Sequence, residues 1–130
     1  NYYMDEISAS IGIEQLKKIE KLNSKRMKIA KRYQKELKIS EHIPIINNCA
    51  YHLFWIKVKN QKKFIDEMLK RGIETGIHYK PVHKMSYYKS KQKLPITEKI
   101  SKEIVSIPIH PLLSENDVSY IVKTINILTK

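Results

Sequence analysis

From Met4 to about Lys38 the apolar residues recur at helical spacing and no proline interrupts them. Met4, Ile7 and Ile11 lead into Leu16, Ile19 and Leu22, then into Met27, Ala30, Tyr33 and Leu37. This spacing predicts one long helix, bent near Asn23-Ser24. Ala9, Ser10 and Gly12 keep its first turns thin, which permits close packing against another element. A helix of that length, opening a small domain and apolar along a stripe, packs on something outside itself.

After a loop over Ser40 to Asn48, which contains Pro44, the pattern changes period. Tyr51 to Val58 is rich in aromatic and β-branched residues and reads as a strand, with Phe54, Ile56 and Val58 on one face and Leu53 and Trp55 on the other. Asn60 is placed to cap a helix from Gln61 to Arg71, with Gly72 as its stop. A second strand is expected over Glu74 to Tyr79, ending before Pro81. Thr97 is placed to cap a short helix to about Glu103. Ile104 to Ile109 is a third strand, which Pro108 puts at an edge or ends early. Ser114-Glu115-Asn116-Asp117 resembles a capping box with Asp in the usual Glu or Gln position, ahead of a final helix striped by Val118, Ile121, Val122, Ile125 and Leu128. The order predicts an α+β fold: a small, mostly antiparallel three-stranded sheet with helices on one face and a long helix at the N-terminal end.

A chain of 130 residues, 42% hydrophobic and 29% charged, suits one folded domain with a modest core. No apolar run approaches the roughly 20 residues that span a bilayer, and the start does not resemble a signal peptide, so the protein reads as cytoplasmic. Cys49 is the single cysteine, which excludes an internal disulfide and a Cys-based metal site. Lys and Arg number 25 against 13 Asp and Glu, a net charge of +12. Such a surplus can attract nucleic acid or phosphorylated ligands. Here the lysines are scattered through nearly every segment, as a default surface residue is, rather than gathered into a nucleic-acid surface.

Gly72 to His83 is the stretch with chemistry in it. The chain extends after a helix stop and delivers His78, Tyr79 and His83 at a strand end and the loop beyond it. Taken as residues, these three could be ligands, acid–base groups or structural side chains. No third His, Asp or Glu at suitable spacing completes a metal site, and no Ser or Cys nucleophile or orienting carboxylate lies near either histidine in sequence. Hydrogen bonding to a ligand fits them better, since His and Tyr both donate and accept. His42 and His52 read as structural or surface residues.

Several segments, in order along the chain, resemble the DegT/DnrJ/StrS-type nucleotide-sugar aminotransferases. Asn1-Tyr2-Tyr3-Met4, with Asp5-Glu6-Ile7-Ser8-Ala9-Ser10-Ile11-Gly12 and Gln15-Leu16, is similar to that family's G-x-N-x-R-M, then E-I-x-A-A-x-G-x-x-Q-L. Arg26 with Ala30-Lys31-Arg32-Tyr33 resembles R-x-x-x-A-x-x-Y. Gly72-Ile73 through His78-Tyr79, Pro81 and His83 resembles G-I-x-T-x-x-H-Y-x-P-x-H. Ser106-Ile107-Pro108-Ile109-His110-Pro111 resembles S-L-P-L-x-P, and Ser114-Glu115-Asn116-Asp117 the T-E-E-D before the last helix.

The resemblance implies a fold type I enzyme dependent on pyridoxal 5'-phosphate, with residues 1–130 as its C-terminal small domain. The Schiff-base lysine would then lie outside this chain, in a large cofactor-binding domain, and this chain alone would be inactive. Asn1 would reach across a homodimer to the cofactor phosphate, and His78, Tyr79 and His83 would lie toward the nucleotide-sugar pocket at the subunit interface. Tyr3 departs from the family pattern, standing where Arg or Lys is usual. The full enzyme would move an amino group, from glutamate, onto a nucleotide-linked keto-sugar for polysaccharide or glycan synthesis. The alternatives are a sugar dehydratase or deaminase of the same family, and a free-standing basic module that binds RNA or acidic glycan.

Overall fold

The computed structural model describes residues 2–88 and 90–130. Helix α1 runs Glu6–Leu16 and α2 Ile19–Glu36; strand β1 is Phe54–Lys57; α3 is Gln61–Leu69; the short α4 is Pro95–Ile100; β2 is Ile104–Ile107; and α5 is Glu115–Leu128. Two single 3-10 turns, Val82–Lys84 and Ser86–Tyr88, lie between α3 and α4.

The predicted long helix is two helices, and the break falls at Lys17-Lys18 rather than at Asn23-Ser24. The Lys18 amide donates to Gln15 O at 3.0 Å, a tightened closure that ends α1, and α2 then starts without a side-chain cap. The two helices differ sharply in what they bury. In α2, Ile29, Ala30 and Tyr33 are buried and Leu37 follows them into the core. In α1 no residue is buried: Ile7 is 75% exposed, Ile11 58% and Leu16 66%.

The class is α+β as the pattern predicts, with an antiparallel ladder of two strands. The register pairs Phe54 with Ile107, Trp55 with Ser106, Ile56 with Val105 and Lys57 with Ile104. Phe54, Ile56, Val105 and Ile107 therefore share a face, and all four are buried against α2, α3 and α5. Tyr33 meets Phe54 edge to face at 5.2 Å and donates to Pro108 O at 2.7 Å. Burial pushes the Tyr33 phenol up.

The expected strand over residues 74–79 touches the ladder only through Gly76. Its amide donates to Ser106 O at 2.9 Å and its carbonyl accepts from the Ser106 amide at 2.8 Å. One step further along this antiparallel register, Glu74 would face Pro108, which has no N–H to exchange, so the pairing stops. On the other edge, residues 41–43 lie beside β1: Ile43 N donates to Trp55 O at 3.0 Å and Lys57 N to Glu41 O at 2.9 Å.

The remaining ends follow the caps written in the sequence, with one exception. Asn60 caps α3. Ser114 and Asp117 form a reciprocal capping box on α5, the shorter Asp serving as well as Glu. Helix α4 starts at Pro95 instead of after Thr97, because proline's fixed φ suits a first helical position; Glu98 Oε1 accepts from the Leu94 amide at 3.2 Å. Among the described residues, no helix is long and apolar enough to cross a membrane.

Candidate functional site

The site grows out of the end of α3. Gly72 adopts φ +70°, donates to Leu69 O at 2.9 Å, and lets the Ile73 amide reach back to Met68 O at 3.0 Å. This pair of bonds stops the helix and turns the chain. Ile73 is buried, so the turn is nailed to the core, and the chain then runs extended to its two bonds with Ser106. The result is a groove of about 620 Å³ at one end of the ladder, lined among others by His52, Thr75, Gly76, His78, Ser106 and His110.

Of the three predicted contact residues, His78 lines this groove and Tyr79 and His83 do not. Tyr79 stands beside it, its ring 5.0 Å from the His78 ring and perpendicular, and is 69% exposed; the peptide bond between them is cis. His83 is turned inward, its side chain 7% exposed, with Nε2 3.1 Å from Glu98 Oε1. Lys84 Nζ lies 3.1 Å from Glu98 Oε2. His83, Lys84 and the Leu94 amide together hold the Glu98 carboxyl down to about 2, His83 contributing most. His83 thus ties the 3-10 turns to α4. Asn1 lies outside the described residues.

The sequence does not single out Thr75, Gly76 or Glu98 as site residues. Thr75 and Gly76 sit inside the stretch from Gly72 to His83, and that position is the one signal that could have found them. Glu98 is separated from His83 by the whole lysine- and tyrosine-rich loop, and only the fold joins them. His52, expected to be a structural or surface residue, is exposed and lines the groove. His110 also lines it, and its Nδ1 accepts from the Leu112 amide at 3.3 Å. Among the described residues no group of His, Cys, Asp and Glu is gathered as a metal site. A second cavity, of about 580 Å³, opens at the opposite end of the ladder; its Glu41 and Glu103 both face Lys57 (2.8 and 3.5 Å), and none of the predicted contacts is there.

The architecture is that of a small α+β domain carrying a groove with apolar walls and three histidines, His52, His78 and His110. The chain belongs to the DegT/DnrJ/EryC1/StrS aminotransferase family, whose model matches residues 1–126. An uncharacterized protein of Methanocaldococcus jannaschii is 34% identical over 95% of this chain, which spans 36% of that relative's length. The structure of Helicobacter pylori PseC, an aminotransferase involved in the biosynthesis of pseudoaminic acid, is 26% identical with a TM-score of 0.86, over 99% of this chain and 38% of that one. Spr1654 of Streptococcus pneumoniae, solved in forms with pyridoxal phosphate and pyridoxamine phosphate, is 26% identical with a TM-score of 0.86, over 97% of this chain and 35–36% of that one. The chain therefore spans little more than a third of the relatives it matches.

The lysines bear on how such a cofactor would be held. A lysine that condenses with an aldehyde needs a desolvated, neutral amine. Among the described residues every lysine is exposed except Lys57, which is half-buried between Glu41 and Glu103. Its hydrogen bond to Glu41 raises the amine's pKa, the wrong direction for a nucleophile. The described lysines do not fit that role, and the groove's own chemistry is hydrogen bonding.

Proposed function

We propose that this chain is the C-terminal small domain of a pyridoxal-phosphate-dependent aminotransferase that moves an amino group, from glutamate, onto a keto-sugar carried by a nucleoside diphosphate. The product would feed polysaccharide or glycan synthesis in the cytoplasm. The enzyme would act as a homodimer, with Asn1 directed to the cofactor phosphate of the partner subunit. The single observation that carries this reading is the family match over residues 1–126. The pyridoxal and pyridoxamine forms of a structural neighbour support an amino group parked on the cofactor between two half-reactions.

In this reading the bound cofactor supplies the carrier for the amino group, and the residues of this chain bind and orient the sugar nucleotide. His78 presents an imidazole to the groove and hydrogen-bonds the substrate. Tyr79 covers it from the exposed side. His83, paired with Glu98, holds the loop that follows Pro81.

The test uses the whole protein. Borohydride reduction is expected to fix the cofactor's mass onto one lysine peptide lying outside residues 1–130, and glutamate is expected to give one equivalent of 2-oxoglutarate per subunit. Tightly bound cofactor without a reducible lysine linkage would support the dehydratase reading instead. His78→Gln is expected to raise the KM for the sugar nucleotide about tenfold with kcat nearly unchanged, the loss of one hydrogen bond. Unchanged KM in that variant would remove His78 from the substrate site.

A further inference from the structure

Gly76 is one of only three glycines in the chain, and its backbone does not need to be glycine. Gly72 is the one with positive φ; Gly76 sits in the pairing with Ser106, where any residue is conformationally at home. The demand at Gly76 is for space. A Cβ built there would clash with His78 Cε1 and lie 3.1 Å from Nδ1 and 3.3 Å from Nε2. The nitrogen-bearing edge of the imidazole thus rests where a side chain at position 76 would be. No backbone atom is among these contacts, so an added methyl would be met by the movable end of one side chain rather than by the fold.

The surroundings of this contact are polar and unfinished. His78 Nδ1 and Thr75 Oγ1 are both buried without a hydrogen-bond partner among the described residues. Burying such atoms unpaired costs free energy, and a core shaped by stability alone would pair them or replace them. Thr75, Gly76 and His78 all line the same groove.

We propose that Gly76 is a positioning residue for substrate recognition: its missing side chain seats the His78 imidazole with Nδ1 turned inward, and that seat sets the orientation in which the ring meets the sugar nucleotide. This rests on the reading of His78 as a substrate contact, and the seat itself can be read without substrate. Gly76 touches no substrate; it acts through His78. The backbone pairing with Ser106 holds the seat in place, since Gly76 both donates to and accepts from that residue.

The experiment compares Gly76→Ala, His78→Gln and the double variant in the whole protein. Gly76→Ala is expected to move the His78 ring Cε1–H resonance in the unliganded protein and to raise the KM for the sugar nucleotide about tenfold with kcat within a factor of two. In the His78→Gln background the same substitution is expected to change KM less than twofold, because its effect passes through the imidazole. An equal KM effect in both backgrounds, or a ring resonance that does not move, would overturn the proposal. If His78→Gln alone leaves KM unchanged, the substrate reading of His78 fails while the ring resonance still decides the seat. Should Gly76→Ala fold poorly, a Gly76→Ala/His78→Ala double variant must recover the melting temperature of His78→Ala, since the clash is gone; failure to recover it counts against the seat.

Discussion

At the scale of single residues, His83 shows how a promising side chain can be spent on structure. Its imidazole is buried against Glu98, and Glu98 in turn receives Lys84 and the Leu94 amide. The Glu98 carboxyl is held down to about 2, below the ordinary carboxylate value. The sign follows from the depression: the cluster's contribution is complete above the usual carboxylate range and is lost as pH falls toward 2. Carboxyl NMR is expected to find Glu98 titrating at about 2, below the ordinary carboxylate range. Glu98→Leu is expected to raise amide exchange at Leu94 about tenfold without touching exchange in α5, because the cluster joins only the 3-10 turns to α4. Sequence points to His83 only through its place in the stretch from Gly72. Its partner was invisible, because a pair separated by a long loop leaves no periodic trace.

At the scale of elements, most caps and both ladder strands were legible, and the third strand was not. Asn60, Gly72 and the Ser114–Asp117 box each act on neighbours a few residues away, so their outcome is written locally. Gly72 is the position where a side chain meets strain from the backbone itself, with φ +70° and open space around it. Gly72→Ala is therefore expected to cost about 1 kcal/mol in denaturant unfolding, whereas a replacement with Asn, which tolerates left-handed φ, costs about half of that. The segment around Gly76 shows the opposite case. Its composition promised a strand, yet pairing depends on what the neighbouring chain can offer, and Pro108 withholds the next N–H. The helix break at Lys17-Lys18 has the same character: both flanking sequences are good helix, and the apolar spacing alone does not mark the turn where they part.

At the scale of the whole molecule, two regions behave differently. One core joins α2, α3, α5 and the inner face of the ladder, and Arg32 clasps it from outside by bonding Glu36 at 2.7 Å and Ser119 of α5 at 3.0 Å. Helix α1 stands apart, with Ile7 and Ile11 on one side and Ile13 and Leu16 on the other, all exposed. A helix apolar on opposite sides is one that other surfaces cover. In the whole protein, Ile11→Asp is expected to lower stability by about 2 kcal/mol, the loss of a buried aliphatic side chain. Ile46→Asp, at a residue that is equally 58% exposed here but lies in the loop before β1, is expected to change it by less than about 0.5 kcal/mol. Melting curves of the two variants distinguish a covered helix from a free one; equal effects would leave α1 solvated.

By itself the sequence determined the α+β class, the caps at Asn60 and Ser114, the stop at Gly72, the inner faces of β1 and α5, and the resemblance that the family match then bore out over residues 1–126. These depend on residue types at short, regular spacing, where the physics of caps, turns and periodic burial is local. Tertiary structure alone decided that His78 lies over Gly76, that His83 is bound to Glu98, and that the second predicted strand meets the ladder only at Ser106. Each of those is a contact between atoms whose separation along the chain says nothing of their separation in space, and only packing, with its demand that no two side chains fill one volume, settles which of them meet.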